Sequence, residues 1–198
     1  SIRFSKNGPI VDEILPAPAN ELGPVSLRWL GMSQGGWLTS LLSMDRASTV
    51  SEFREALRPW HVPTFALVIA DVDGRIGFQA SGRVPVRNRN ERAFRRGWDP
   101  QDQWQGLIPF EEMPSLDDPE RGWIASANNR VAPNDFPHRM YGCWVSGARA
   151  QRIREMFGDR ESLTVDDMRD GHQDALNLRA AARVPELIAQ LESEADER

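Results

Sequence analysis

The stretch TFALVIAD (64–71), followed by RIGFQASG (75–82), decides the fold. Two apolar runs flank Val72, Asp73 and Gly74, and a short Gly-containing connection between such runs predicts a β-hairpin. FALVIA is nearly continuous in hydrophobicity, which predicts a strand covered on both faces. Asp71, Asp73 and Gly74 faintly suggest a calcium loop, but no Glu stands at the twelfth position, and a hairpin turn is the simpler reading.

Outward from the hairpin, helices and irregular chain alternate. WLTSLLSM (37–44) has apolar residues near helical spacing. Thr49 with Glu52 three positions on is a capping-box pattern, and Phe53, Ala56 and Leu57 form the stripe of a second short helix stopped by Pro59 and Pro63. Upstream, RFSKNGPIVDEIL reads as two short strands about an Asn-Gly turn, and VSLRWLG as another strand. Downstream, residues 83–122 read as a long irregular excursion of the kind that lines a site or an interface. WIASA (123–127) reads as a short strand and 148–158 as a helix stopped by Gly158. Thr164 with Asp167 starts another helix, and a last one runs from Val184 to Leu191 with Pro185 in its first turn. His172, Asp174 and Arg169 read as surface polar groups, and the acidic tail as frayed.

The bulk properties exclude several classes. The chain has 198 residues, enough for one or two domains, and its 40% hydrophobic and 27% charged content is ordinary for a globular protein. Its net charge is −5, with no concentrated basic face, which argues against nucleic acid as a partner. No apolar run is long enough to span a membrane, and the opening SIRFSKNGPI lacks the apolar core of a signal peptide. A single cysteine, Cys143, excludes an internal disulfide and a thiolate zinc cluster. His61, His138 and His172 are widely spaced, so neither a metal nor another cofactor is expected.

Two sets of residues suggest chemistry. Gly31-Met32-Ser33-Gln34-Gly35 matches the nucleophile-elbow pattern, with an apolar strand before it and an apolar helix after it. A serine esterase would use Ser33 with an Asp such as Asp135 and with His172; the plainer reading is a Gly-rich loop. The hydrolase fold needs several strand–helix units before its elbow, and the residues before Gly31 read as a hairpin.

The second set is spread along the chain. The ordered blocks LRW (27–29), LLSMDRASTVSEFREAL (41–57), ADVDGRIGFQASGRVPVR (70–87), WQGLIPFEEMPSLDDPERGWIASANNR (104–130) and RAQRIREM (149–156) resemble the β chain of the penicillin amidase family of N-terminal-nucleophile hydrolases. The resemblance implies an α+β fold, a fragment of the αββα sandwich with antiparallel strands and packed helices, in a single domain over 1–198. It implies an N-terminal Ser, exposed by self-cleavage of a precursor, that attacks a linear amide with its own α-amine as base. It places the oxyanion-binding Asn at Asn128, first of the pair in ANNR, and the supporting Arg at Arg149. Met44 and Phe65 match positions that line the acyl pocket. It also implies a periplasmic or secreted enzyme acting on acyl amides such as penicillins or acyl-homoserine lactones, with the rest of the β chain and an α chain as partners.

Blander readings stand beside these. Asn128 and Asn129 suit a turn that bonds its own backbone, Arg149 suits a solvated helix face, and Met44 and Phe65 suit a core. A non-catalytic scaffold then remains open, and it predicts Asn128 and Arg149 far apart. The opening Ser1-Ile2-Arg3-Phe4 departs from the family's Ser-Asn start and reads as the remnant of a cut, with the nucleophile outside the chain. PHRMYG stands where some members supply a calcium-binding Asp, so no metal is expected there. A fragment stripped of partner strands is expected to be inactive alone and to expose apolar faces or pack them against another copy.

Overall fold

The computed structural model describes residues 1–32, 35–89, 93–140 and 142–196. The chain folds into two compact units, one of Ser1–Asp117 with Asp135–Tyr141, the other of Asp118–Asn134 with Gly142–Arg198.

The first unit holds the sheets. Phe4–Ser5 (β1) pairs antiparallel with Gly8–Pro9 (β2), so the expected hairpin forms, but its turn is Lys6-Asn7 and the Gly8 expected in the turn is paired with Ser5 inside β2. The stretch read as a strand at 25–31 is extended only over its first residues. There the Val11 N–H reaches the Val25 carbonyl at 2.7 Å and the Leu27 N–H reaches Pro9 at 2.9 Å, before a 3-10 turn at Leu30–Met32 ends the pairing. Trp37–Met44 (α1) and Val50–Ala56 (α2) are the two expected helices. Thr49 Oγ1 accepts the Glu52 N–H, so the side-chain cap forms as read, but the Glu52 carboxylate accepts the Ser48 N–H and not that of Thr49, so the reciprocal half of the box is displaced by one residue.

The hairpin is Ala66–Ala70 (β3) against Ile76–Ala80 (β4), with every residue of one strand paired to the other. Its turn is tied by Asp71, whose Oδ1 accepts the N–H of Asp73 and Arg75 and whose Oδ2 accepts the Val50 N–H at the start of α2. One carboxylate therefore fixes both the hairpin and the helix beside it.

Within 83–122 the chain is more regular than its composition suggests. Pro85–Arg87 (β5) pairs with Trp104–Leu107 (β6), and Ser115–Asp117 (β7) joins the hairpin to give the order β3-β4-β7. β4 is therefore central and mostly buried, and β3 is an edge. The expectation that both faces of FALVIA are covered fails: only Ile69 of β3 is buried, while Val68 stays 49% exposed. Continuous hydrophobicity marks a strand here without marking what covers it.

The core of this unit includes the buried Leu57, Phe78, Ile108, Phe110 and Met113. Arg54 of α2 clamps the sheet from the side. Its guanidinium forms a two-pronged pair with Asp117 at 2.6 and 2.5 Å and reaches the Leu116 carbonyl at 3.3 Å. α2 comes this close because β4 carries Gly77, where a Cβ would stand 2.6 Å from Cγ1 of Val50.

The second unit is helical: Ala148–Phe157 (α3), Val165–His172 (α4) and Leu178–Asp196 (α5). The strand expected at 123–127 is absent, because side chains take the backbone groups that a ladder would need. Arg121 Nε donates to the Trp123 carbonyl at 2.8 Å, and the Ala127 N–H goes to Asn129 Oδ1 at 3.0 Å. The Thr164–Asp167 capping box is present at α4. α5 starts earlier than Pro185 suggested, because Asn177 Oδ1 accepts the N–H of Arg179 and Ala180. Asp174 is not a free surface group: it forms a two-pronged pair with Arg152 at 3.0 and 2.8 Å that ties the end of α4 to α3. Apolar side chains are left exposed on both units, among them Leu38 and Leu42 of α1 and Val184, Leu187, Ile188 and Leu191 of α5.

Two outcomes follow from this packing. Gly77→Ala forces α2 off the sheet and destabilises the first unit by about 1–3 kcal/mol in denaturant unfolding, whereas a stability equal to the parent's contradicts the close contact. Asp167 is bonded by the Thr164 N–H and hydroxyl and by the Arg160 guanidinium, which hold its carboxyl at about 2 against 3.8 for a free aspartate. A lowered carboxyl stabilises the folded state above the free value, and that stabilisation fades as pH falls toward the folded one. Asp167→Asn should therefore weaken α4 at neutral pH and cost progressively less between about pH 4 and 2. An Asp167 NMR titration midpoint near 4 would contradict it.

Candidate active site

Asn128 sits in a loop whose geometry is unusual for a side-chain-bearing residue. Its φ is +58°, in the left-handed region that Asn tolerates better than most residues. The backbone on either side is pinned: the Val145 N–H donates to the Asn128 carbonyl at 2.9 Å, and the preceding Ala127 is buried.

α3 brings the partner. Arg149 lies in its first turn, after the uncapped Gly147, and its guanidinium turns back toward the loop. Arg149 Nη2 donates to Asn128 Oδ1 at 2.8 Å and to the Ala127 carbonyl at 3.0 Å. A guanidinium only donates, so the oxygen of the Asn128 amide must face it. The two N–H groups on Nδ2 are thereby turned away from Arg149. Among the described residues nothing accepts from them, and the side chain is exposed. The arrangement presents a neutral, oriented double donor with a fixed positive charge behind it.

The neighbouring Asn129 is used differently. Its Oδ1 accepts the Ala127 N–H at 3.0 Å and its Nδ2 donates to the Arg130 carbonyl at 3.1 Å. The turn reading thus describes Asn129, and Arg149 takes Asn128 out of it. Nothing in the sequence distinguishes the two; only the partner 21 positions away does.

Met44 and Phe65 belong to the other unit. Met44 is half-buried in the last turn of α1. Phe65 precedes β3, its N–H bonded to Ser81 Oγ at 3.0 Å and its ring tilted against the buried Trp60 at 5.9 Å, with half of its surface exposed. Ser33 of the alternative esterase reading lies outside the described residues. Sequence reasoning missed Arg152 and Asp174, which anchor the helix carrying Arg149; an acidic residue just past a capped helix was the available signal.

Among known proteins, the chain is 38% identical over 138 residues to the penicillin acylase 2 proenzyme of Pseudomonas sp. (strain SE83), covering 69% of this chain and 18% of that protein. It is 27% identical over 176 residues to the acyl-homoserine lactone acylase QuiP of Pseudomonas aeruginosa, covering 84% of this chain and 21% of that protein. The chain therefore spans about a fifth of the length of these relatives. A solved structure, thermostable penicillin G acylase from Alcaligenes faecalis, superposes with a TM-score of 0.63 at 21% identity, over 84% of this chain and 29% of that one. The chain thus shares its α+β architecture of antiparallel sheets and helices with that penicillin G acylase. The penicillin amidase family model matches residues 1–198, and the chain belongs to that family.

Proposed function

We propose that residues 1–198 supply the oxyanion side of an amidohydrolase that cleaves linear acyl amides, of the kind named for its relatives: penicillins or acyl-homoserine lactones. The observation that carries this reading is the Arg149–Asn128 hydrogen bond, which leaves two amide N–H groups unengaged and facing outward. Attack on an amide carbonyl places negative charge on its oxygen, and an oriented neutral donor stabilises that charge without itself titrating. The attacking group in this reading is the hydroxyl of an N-terminal Ser outside this chain, with its own α-amine taking the proton. The remainder of the β chain and an α chain complete the site, in a periplasmic or secreted enzyme. The apolar side chains left uncovered on α1, β3 and α5 support such partners, since faces of this kind mark interaction surfaces. Phe65, propped on Trp60 and half exposed, and Met44 line the acyl pocket in this reading.

In the complete enzyme carrying these residues, Asn128→Ala should lower kcat by about 10²–10³-fold with KM little changed, the loss expected for one oxyanion donor. Arg149→Ala frees the amide to rotate and should also lower kcat, by less. Unchanged turnover of a linear amide in Asn128→Ala would remove Asn128 from the chemistry.

A further inference from the structure

Asn128 holds a left-handed backbone and a side chain tethered at one atom only, Oδ1. A single tether lets the amide swing about the Arg149 contact unless the backbone beneath it is fixed. That backbone is fixed from two sides. The Val145 N–H takes the Asn128 carbonyl, and Asn129 bridges the turn from within, bonding the N–H of residue 127 and the carbonyl of residue 130. The two ends of the Asn129 amide have opposite demands, an N–H donor at one and a carbonyl at the other, so its orientation is determined. Ala127 is the shared element: its N–H is held by Asn129, its carbonyl by the same Arg149 Nη2 that holds Asn128, and its side chain is buried.

We infer that Asn129 is a positioning residue for the oxyanion donor: by stapling the backbone from 127 to 130 it sets where the Nδ2 hydrogens of Asn128 point. This inference rests on the oxyanion reading of Asn128. Without Asn129, the Ala127 N–H and the Arg130 carbonyl turn to water, the left-handed turn relaxes, and the donor drifts from the developing charge. A displacement of about 1 Å costs about 10²-fold in rate even when the displaced group survives.

The test compares three variants of the complete enzyme on one linear amide substrate, reading kcat, KM and Tm. Asn129→Ala removes both staples and should lower kcat about 10- to 100-fold with KM within about twofold and little change in Tm. Asn129→Asp keeps the size and the acceptor for the Ala127 N–H, loses the donor to Arg130 and adds a carboxylate charge, so its kcat should lie between those of Asn129→Ala and the parent. Asn128→Ala is the reference. A loss at Asn128→Ala with none at Asn129→Ala overturns the positioning role alone. Normal turnover at Asn128→Ala overturns the oxyanion reading and the positioning role with it. If Asn129→Ala fails to fold, Asn129→Asp decides: an intermediate kcat at unchanged Tm supports the inference, and a kcat equal to the parent's overturns it.

Discussion

A guanidinium aimed at a carboxamide oxygen, Arg149 Nη2 to Asn128 Oδ1 at 2.8 Å, is the contact on which the site depends. It decides which end of an otherwise ambiguous amide faces outward, because arginine has no acceptor to offer the nitrogen. It also separates two adjacent asparagines chemically. One spends its polar atoms on the backbone around it, and the other is held at its oxygen and keeps its nitrogen for something else. The helix that delivers Arg149 is itself anchored through Arg152 and Asp174, whose carboxyl is pushed below the ordinary aspartate range by its two bonds to that guanidinium. Arg149 and Arg152 thus leave one helix toward different partners, the loop for one and the end of α4 for the other.

The first unit follows a different logic. Its central strand is glycine-lightened at Gly77 so that α2 can lie close, and Arg54 then closes the gap against Asp117 and the β7 backbone. Asp71 holds the hairpin turn and the start of α2 at once. Charged groups on the margins here serve backbone geometry, and the apolar interior is small. The exposed outer residues of β3 and α1 show that apolar content and burial have come apart, which is the condition of surfaces that pack against something else.

Local chemistry was legible in the sequence and distant chemistry was not. Both Thr caps and the Asp71–Arg75 turn are decided within five residues, so their residue types specify them, whereas the first hairpin was legible but its turn is one residue earlier than Asn-Gly suggests. The short strands at 85–87, 104–107 and 115–117 were invisible because each is formed by a partner elsewhere rather than by its own pattern. The Arg54–Asp117 pair joins positions 63 residues apart with nothing in either neighbourhood to announce it, and the Arg152–Asp174 pair, 22 apart, is hinted at only by an acidic residue just past a capped helix. The site was legible only through family resemblance. Asn128 and Asn129 read alike until a third residue approaches one of them.

That approach has a local cost, which bears on what the arrangement is for. Arg149 occupies the first turn of α3, where the helix dipole already presents positive charge and an added cation is unfavourable. Gly147 supplies no side-chain cap to offset it. A helix selected for stability alone would carry Asp or Glu there. The dipole, the guanidinium and the polarised amide instead converge on one exposed point in a chain whose net charge is −5. A hydrogen bond into a carboxamide oxygen draws electron density from its nitrogen and strengthens the outward N–H groups as donors. In the proposed reading, a cation kept in the first turn where neighbouring elements obey the ordinary rules suits a site that receives negative charge.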